Sequence, residues 1–174
     1  VQGVGFPYFE EDRVYLFHPG GSSVSQYSIN GTKMWSTDNY VPIISFSSSS
    51  NGAIIGYADG KVLSMTPEGN KNVEFYPSGS NYEIIFGVDI SESGEYLACI
   101  SGLDKQRIII IRSKNGQNRI VFHQYLENQC NKQNLVYFTK NDENVFFAGN
   151  SELQVVNCTT FESHNIVIKG KILT

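Results

Sequence analysis

Apolar and polar positions alternate along this chain in short runs, and each run ends at turn-forming residues. Segments rich in Val, Ile, Tyr and Phe, about four to seven residues long, are typical of β-strands rather than helices. No window of about eleven residues carries apolar positions at helical spacing without a break at Gly, Pro or Asn-Gly. The pattern therefore predicts an all-β chain with little or no helix.

The turn signals recur four times in the same order along the chain. Three sets are present: Glu11-Asp12, Asn51-Gly52, Ser93-Gly94 and Asp142-Glu143; Gly20-Gly21, Asp59-Gly60, Leu103-Asp104 and Asn150-Ser151; Asn30-Gly31, Glu68-Gly69, Asn115-Gly116 and Thr159-Thr160. Corresponding turns lie roughly 38 to 49 residues apart, the period of a four-stranded repeat. Within each repeat the middle strands are apolar and the closing strand is more polar, which predicts buried inner strands and a partly wet outer strand.

This organisation predicts one β-propeller domain over residues 1–174, with about four four-stranded antiparallel blades. The blades are expected at approximately 5–41, 42–81, 82–128 and 129–174. A single blade cannot bury either of its faces, so the blades must fold together. Because four is the low end of the blade number in propellers, three arrangements stay open: a small ring, part of a larger propeller, or half of a ring completed by a second copy.

Specific segments carry a resemblance to known repeats. Residues 88–98 resemble the strand, Ser-x-x-Gly turn and apolar strand that open a blade in WD-repeat-like propellers, and residues 45–55 and 137–148 repeat this arrangement. Residues 24–35 are similar to the quinoprotein-type repeat, in which a Gly turn precedes a strand ending in Trp. Trp35 is the single tryptophan, so we interpret it as a blade-packing residue rather than a cofactor contact. The quinoprotein likeness implies an extracytoplasmic location, in the periplasm or cell envelope, with the cytoplasm as the alternative.

Composition narrows the classes of function. The chain has 13 basic and 17 acidic residues and a formal net charge of −4, which argues against a nucleic-acid partner. No apolar run approaches the roughly 20 residues of a transmembrane segment, and Val1 in place of Met predicts that any targeting segment has been removed. Cys99, Cys130 and Cys158 are too few and too far apart for a disulfide framework or zinc site; Cys99 is expected in the core.

Candidate reactive groups do not form a recognisable constellation, so we predict no catalytic, cofactor-binding or metal-binding residues. His18, His123 and His164 fall at different phases of different repeats and are assigned structural or surface roles. The acidic sets are Glu10, Glu11 and Asp12, and Asp89, Glu92 and Glu95. Neither follows a calcium-loop pattern, so we interpret both as solvated turn residues. Gly3-Val4-Gly5 lacks the further features of a nucleotide site, and Ser45 to Ser50 is interpreted as a strand edge entering a turn.

The prediction for function is a non-catalytic scaffold that binds other proteins, with self-association to complete a ring as a possibility. The alternative is an enzyme or small-ligand binder whose site converges from several loops at the central channel. A deep funnel with two or more carboxylates or histidines favours the alternative, and a flat face with Tyr and Phe favours the scaffold. The candidate partner surface consists of tyrosines near loops: Tyr27, Tyr40, Tyr76, Tyr82 and Tyr125.

Overall fold

The computed structural model describes residues 4–127, 129, 132–148 and 152–167. Across these residues the chain forms sixteen strands in four sheets of four, and no helix. The predicted all-β, four-stranded blade architecture is thus confirmed. Gly3, Cys130 and the turn at Asn150-Ser151, for which the sequence gives predictions, lie outside the described residues.

Each sheet consists of four consecutive antiparallel strands and is referred to as a blade. Blades 1 and 2 contain β1 (Phe6–Glu10), β2 (Arg13–Phe17), β3 (Ser23–Tyr27), β4 (Lys33–Asp38), β5 (Ile43–Ser49), β6 (Gly52–Tyr57), β7 (Val62–Met65) and β8 (Lys71–Phe75). Blades 3 and 4 contain β9 (Ile85–Ile90), β10 (Tyr96–Ser101), β11 (Arg107–Lys114), β12 (Gln117–Tyr125), β13 (Val136–Phe138), β14 (Asn144–Ala148), β15 (Glu152–Asn157) and β16 (Ser163–Val167).

Burial follows the position of a strand within its blade. Every residue of β6, β7 and β9 is buried, whereas every residue of β16 is exposed. β6 and β7 are the middle strands of blade 2 and β9 is the first strand of blade 3, and both blades have a neighbouring blade on each face, whereas β16 is the last strand of blade 4 and borders solvent.

Three apolar clusters hold the four blades together in chain order. Between blades 1 and 2, the Phe46 ring packs edge-on against Tyr8, Tyr15 and Phe17, with centroid distances of 5.7, 4.8 and 5.2 Å. Aliphatic residues of β6, β9, β10 and β11 fill the interface between blades 2 and 3. Blades 3 and 4 share a third cluster, which includes Ile110 and Phe147. Among the described residues no comparable cluster joins blade 4 to blade 1.

Successive strands run in opposite directions, so successive turns lie on two opposite faces of the propeller. The turns within β1–β2, β5–β6, β9–β10 and β13–β14 lie on one of them, here named the hairpin face. The β2–β3, β6–β7 and β10–β11 turns lie on the other, together with the connections between blades. Contacts such as the bond from Ala58 N–H to Pro42 O, at 2.9 Å, join loops of this second face. In the described part of the chain no helix is long and apolar enough to cross a bilayer.

Candidate functional site

The first strands of the blades line a central cavity of about 380 Å³. Residues from all four blades contribute to its wall, and many are polar. The charged and hydroxyl-bearing lining residues are Glu10, Glu11, Arg13, Ser45, Ser47, Ser48, Asp89, Glu92, Tyr137, Thr139 and Lys140. The cavity therefore has the carboxylates that the sequence analysis associated with the small-ligand alternative.

Strand β5 presents serines alternately to the two neighbouring blades. Ser48 donates a hydrogen bond to Glu10 of blade 1 and accepts one from the Arg13 guanidinium at 3.3 Å. Ser47, the preceding residue, donates to Asp89 of blade 3. Because successive side chains of a strand point to opposite faces, this short run links blade 2 to both sides. The prediction for Ser45 to Ser50 is confirmed, because β5 is an edge strand of its sheet and runs to Ser49, directly before the turn.

Asp89 is the most buried carboxylate of the cavity wall, with 7% of its surface exposed. One carboxylate oxygen accepts the bond from Ser47, and the other accepts the backbone N–H of Phe138 at 2.6 Å. Burial raises the pKa of Asp89 to about 6, although these hydrogen bonds oppose the shift. Both oxygens are therefore occupied by inter-blade contacts.

The interpretation of the two acidic sets as solvated turn residues is wrong for two members. Asp89 lies inside the buried strand β9, and Glu10 is half-buried at the end of β1. The signal in the sequence was a single carboxylate within the apolar run Val88-Asp89-Ile90, since an isolated charge in a buried strand requires hydrogen-bond partners. Glu92 agrees better with the interpretation, because it is exposed in the β9–β10 turn.

On the hairpin face, the turns of neighbouring blades are hydrogen-bonded to each other. The Asp142 carboxylate accepts the backbone N–H groups of Glu92 and Ser93, at 2.9 and 3.0 Å. Glu92 also accepts a bond from Ser50 at 2.5 Å. These bonds fix the relative position of blades 2, 3 and 4, and they involve the carboxylate of one cavity-lining residue, Glu92.

The basic residues at the cavity also contact acidic groups. Arg13 lies 3.7 Å from the carboxylates of both Glu11 and Asp12. Lys140, at the β13–β14 turn, lies 3.6 Å from Glu11 and is 83% exposed. The described residues contain no group of three or more His, Cys, Asp or Glu side chains that could hold a metal ion.

Four of the five tyrosines assigned to a partner surface lie on the face opposite the hairpin turns, here named the tyrosine face. Tyr40 is 91% exposed in the β4–β5 connection, and Tyr76 and Tyr82, in the β8–β9 connection, are 52% and 61% exposed. Tyr125 ends β12 and is 50% exposed. Tyr27 is different, because it is half-buried at the end of β3 near the hairpin face.

Carboxylates surround the tyrosines of this face. The Tyr76 hydroxyl lies 3.5 Å from Asp59. Partial desolvation and the negative charges of Asp59, Glu74 and Glu83 raise the pKa of Tyr76. Asp104, near Tyr82, accepts bonds from Ser80 and Asn81. The face thus combines exposed aromatic rings with negative charge.

The remaining predicted residues are dispersed through the fold. His18 contacts Ser25 at 2.7 Å in blade 1, His123 lies on β12, and His164 lies on the exposed strand β16, so the histidines do not converge. Trp35 is 7% exposed and packs 6.1 Å from Tyr15, which confirms its blade-packing role. Cys99 is buried in the cluster between blades 2 and 3, as expected.

The chain belongs to a family of beta-propeller proteins, whose family model matches residues 1–174. It is 40% identical over 169 residues to an uncharacterized protein of Treponema pallidum (strain Nichols). That match covers 97% of this chain and 45% of the relative, so the chain spans less than half the length of this curated relative.

Solved structures share the fold at low identity. The WD40 domain of Toxoplasma gondii coronin superposes with a TM-score of 0.71 at 8% identity, covering 93% of this chain and 44% of that one. A provisionally assigned 6-phosphogluconolactonase from Bacteroides uniformis ATCC 8492 superposes at 0.70 with 14% identity, covering 97% and 60%. The predicted likeness to WD-repeat propellers is confirmed, and the quinoprotein likeness stays a prediction.

Proposed function

We propose that this protein is a non-catalytic scaffold that binds other proteins through the tyrosine face. The observation that carries the proposal is the exposure of Tyr40, Tyr76, Tyr82 and Tyr125, each at least half exposed, on one face of a rigid propeller. Tyrosine supplies a large contact area at a low cost in conformational entropy and is enriched in protein interfaces. The likeness to a WD40 domain and to a lactonase supports the fold and is compatible with both classes of function.

The charge of this face favours a particular partner chemistry. Asp59, Glu74 and Glu83 surround Tyr76, and an exposed ring beside carboxylates is suited to a Lys or Arg side chain. We therefore expect the partner to present a basic segment.

Site-specific photo-cross-linking tests the proposal. A photoreactive phenylalanine analogue is placed at Tyr40 or at Tyr82, and at Ile29 as a control, because Ile29 is 78% exposed in the β3–β4 turn of the hairpin face. In extracts of the source organism, both tyrosine positions should yield adducts with the same protein, and Asp59→Asn with Glu83→Gln should reduce the yield. Equal adducts from Ile29, or none from either tyrosine, would contradict the proposal.

A second candidate function rests on the cavity. Its wall carries Glu10, Asp89 and Glu92 together with Arg13 and Lys140, a lining that suits a small polar ligand. The internal hydrogen bonds of Asp89 and Glu10 count against it, because a ligand would have to displace Ser47 or Ser48.

Calorimetry with a library of polar metabolites distinguishes the two candidates. A ligand that binds the wild-type protein but not Lys140→Ala would support the cavity function, since Lys140 is exposed and its truncation leaves the fold intact. Lys71→Ala is the matched control, because the ion pair of Lys71 with Glu74 lies outside the cavity. Binding that both variants retain would exclude the cavity as its site.

A further inference from the structure

The β11–β12 hairpin of blade 3 carries a basic groove at the rim of the propeller, where β12 is the edge strand of its sheet. Arg112 and Lys114 lie on β11, and Arg119 lies on β12. Arg112 pairs with Arg119 across the two strands, and Lys114 pairs with Gln117, so the three cations lie on the same side of the hairpin. Together with their neighbours they line a groove of about 440 Å³.

The hairpin that carries these cations has a defined geometry. Its two-residue turn, Asn115-Gly116, has φ values of 53° and 72°, the left-handed combination that a type I′ turn requires. On the opposite side of the hairpin, the Asn118 amide donates a hydrogen bond to the backbone O of Asn72 in blade 2 at 3.3 Å. The Arg112 guanidinium lies 5.6 Å from the centre of the Tyr96 ring. These contacts orient the hairpin and one of its cations before any ligand binds.

The side of the hairpin that carries the cations faces blade 4. Phe122 lies on this side and its ring stacks on Phe161 of blade 4, with a centroid distance of 6.4 Å. Blade 3 packs against blades 2 and 4 through two of the apolar clusters. The groove is therefore bordered by blades of this chain, and a partner would reach it from the rim.

Positive charge is in excess in this groove. Among the described residues, the carboxylate that pairs with the cations is Glu95, which lies 2.5 Å from Arg112 Nε and 3.3 Å from Lys114 Nζ. Arg119 donates instead to the amide oxygen of Gln117 at 3.2 Å. Three cations thus share one carboxylate. Because like charges directly opposite each other destabilise a sheet, a bound anion would relieve the repulsion between Arg112 and Arg119.

We propose that this groove binds an acidic segment of a partner protein, on a surface separate from the tyrosine face. Glu95 provides an example of the contact within the chain, because one of its carboxylate oxygens lies near both Arg112 and Lys114. Guanidinium groups bind carboxylates through paired, charge-assisted hydrogen bonds. A nucleic acid suits the surface less well, since the basic groups are confined to one hairpin of a chain with a net charge of −4.

Fluorescence anisotropy with a labelled oligoglutamate peptide tests this proposal. The wild-type protein should bind the peptide with a micromolar dissociation constant, and Arg119→Gln should raise that constant about tenfold, because it removes a charge-assisted contact. Lys105→Gln is the matched control, since it removes a positive charge from the exposed β10–β11 turn on the tyrosine face. Equal weakening by the two variants, or no binding to the wild type, would overturn the proposal.

A second variant changes the affinity in the opposite direction. Glu95→Gln should strengthen peptide binding severalfold, because the internal carboxylate no longer competes for Arg112 and Lys114. Circular dichroism verifies that the variant is folded, and an unchanged or lower affinity of the folded variant would contradict the assignment. Competition identifies the class of partner. A single-stranded oligonucleotide that displaces the probe at a lower concentration than unlabelled oligoglutamate would assign the groove to nucleic acid and overturn the proposal.

Discussion

The backbone N–H of Phe138 on β13 donates a hydrogen bond to the Asp89 carboxylate on β9 at 2.6 Å, which ties blade 4 to blade 3 at the channel. The other oxygen of Asp89 accepts the bond from Ser47 on β5. One buried side chain therefore connects three blades. Since burial raises its pKa to about 6, the packing of the propeller depends on pH through this group.

Asp89→Asn should remove a pH dependence of stability. Between its ordinary pKa of 3.8 and the folded value of about 6, the folded chain holds a proton that the unfolded chain has released. The free energy of unfolding therefore falls as pH rises through this window, by roughly 3 kcal/mol for a shift of this size. Asparagine keeps an acceptor for Phe138 and a donor for Ser47 without the charge. Urea unfolding of both proteins at several pH values from 3.5 to about 7.5 checks this prediction. If the free energy of unfolding of the variant fell with pH as steeply as that of the wild type, the prediction would be wrong.

Asp89→Ala should also remove the pH dependence, but it should lower the stability of the protein even at low pH. Alanine leaves the buried N–H of Phe138 without an acceptor, which costs about 1–3 kcal/mol at low pH, where the wild-type carboxyl is neutral. Comparing Asp89→Ala with Asp89→Asn under those conditions separates the hydrogen bonds from the charge. Equal stability of the two variants would show that the bonds contribute little.

Asp142→Gly should weaken the junction of blades 3 and 4. Asp142 adopts a φ of 58°, a conformation that glycine accepts readily, so the substitution removes the side chain without adding backbone strain. Loss of its bonds to the N–H groups of Glu92 and Ser93 should lower the free energy of unfolding by about 1–2 kcal/mol. Glu143→Ala, at the exposed neighbouring residue, is the control and should change it by less than about 0.5 kcal/mol. Chemical denaturation measures both.

Hydrophobic periodicity and turn residues were enough to predict the strands and their grouping. The predicted turns at Leu103-Asp104 and Asn115-Gly116 lie on either side of β11, which spans Arg107–Lys114. The predicted turn at Asn30-Gly31 directly precedes β4, which spans Lys33–Asp38. These elements are predictable because the residues that determine a strand and its turns, short apolar runs between Gly and Asn, lie within a single hairpin.

The polar links between blades could not be predicted in the same way. Ser47 and Asp89 are 42 residues apart in sequence, and Asp89 and Phe138 are 49 residues apart. Their contacts depend on how separate blades face each other at the channel. No local pattern in a single sequence shows which residues of different blades will meet there. Tyr40 and Tyr82 were identified as surface candidates from their loop positions, but their common face follows only from the order of strands.

Gly56→Ala should destabilise the interface between blades 2 and 3. A Cβ atom at Gly56 would lie 2.6 Å from Ile85 Cγ2 and 3.2 Å from Val88 Cγ1. Overpacking of this kind costs about 1–3 kcal/mol. Ile85→Ala should recover part of the loss in the double variant, because it removes the atom that clashes. Denaturant unfolding of the two single variants and the double variant gives the coupling energy, and strict additivity would show that the clash is relieved elsewhere.

Cys99 and Cys158 should be unreactive in the folded protein. They are 1% and 2% exposed, and burial raises the pKa of Cys99 to about 12 and that of Cys158 to about 11. The thiolate is the reactive form of cysteine. Both thiols are therefore protected from reaction in two ways, because their raised pKa keeps them protonated and the packing around them blocks access. In a Cys130→Ser variant, a colorimetric disulfide reagent at pH 8 should label the protein only as fast as it unfolds. Adding urea below the unfolding midpoint should accelerate labelling in proportion to the unfolded fraction. Rapid labelling of the native variant would mean that the interfaces of blade 3 open without global unfolding.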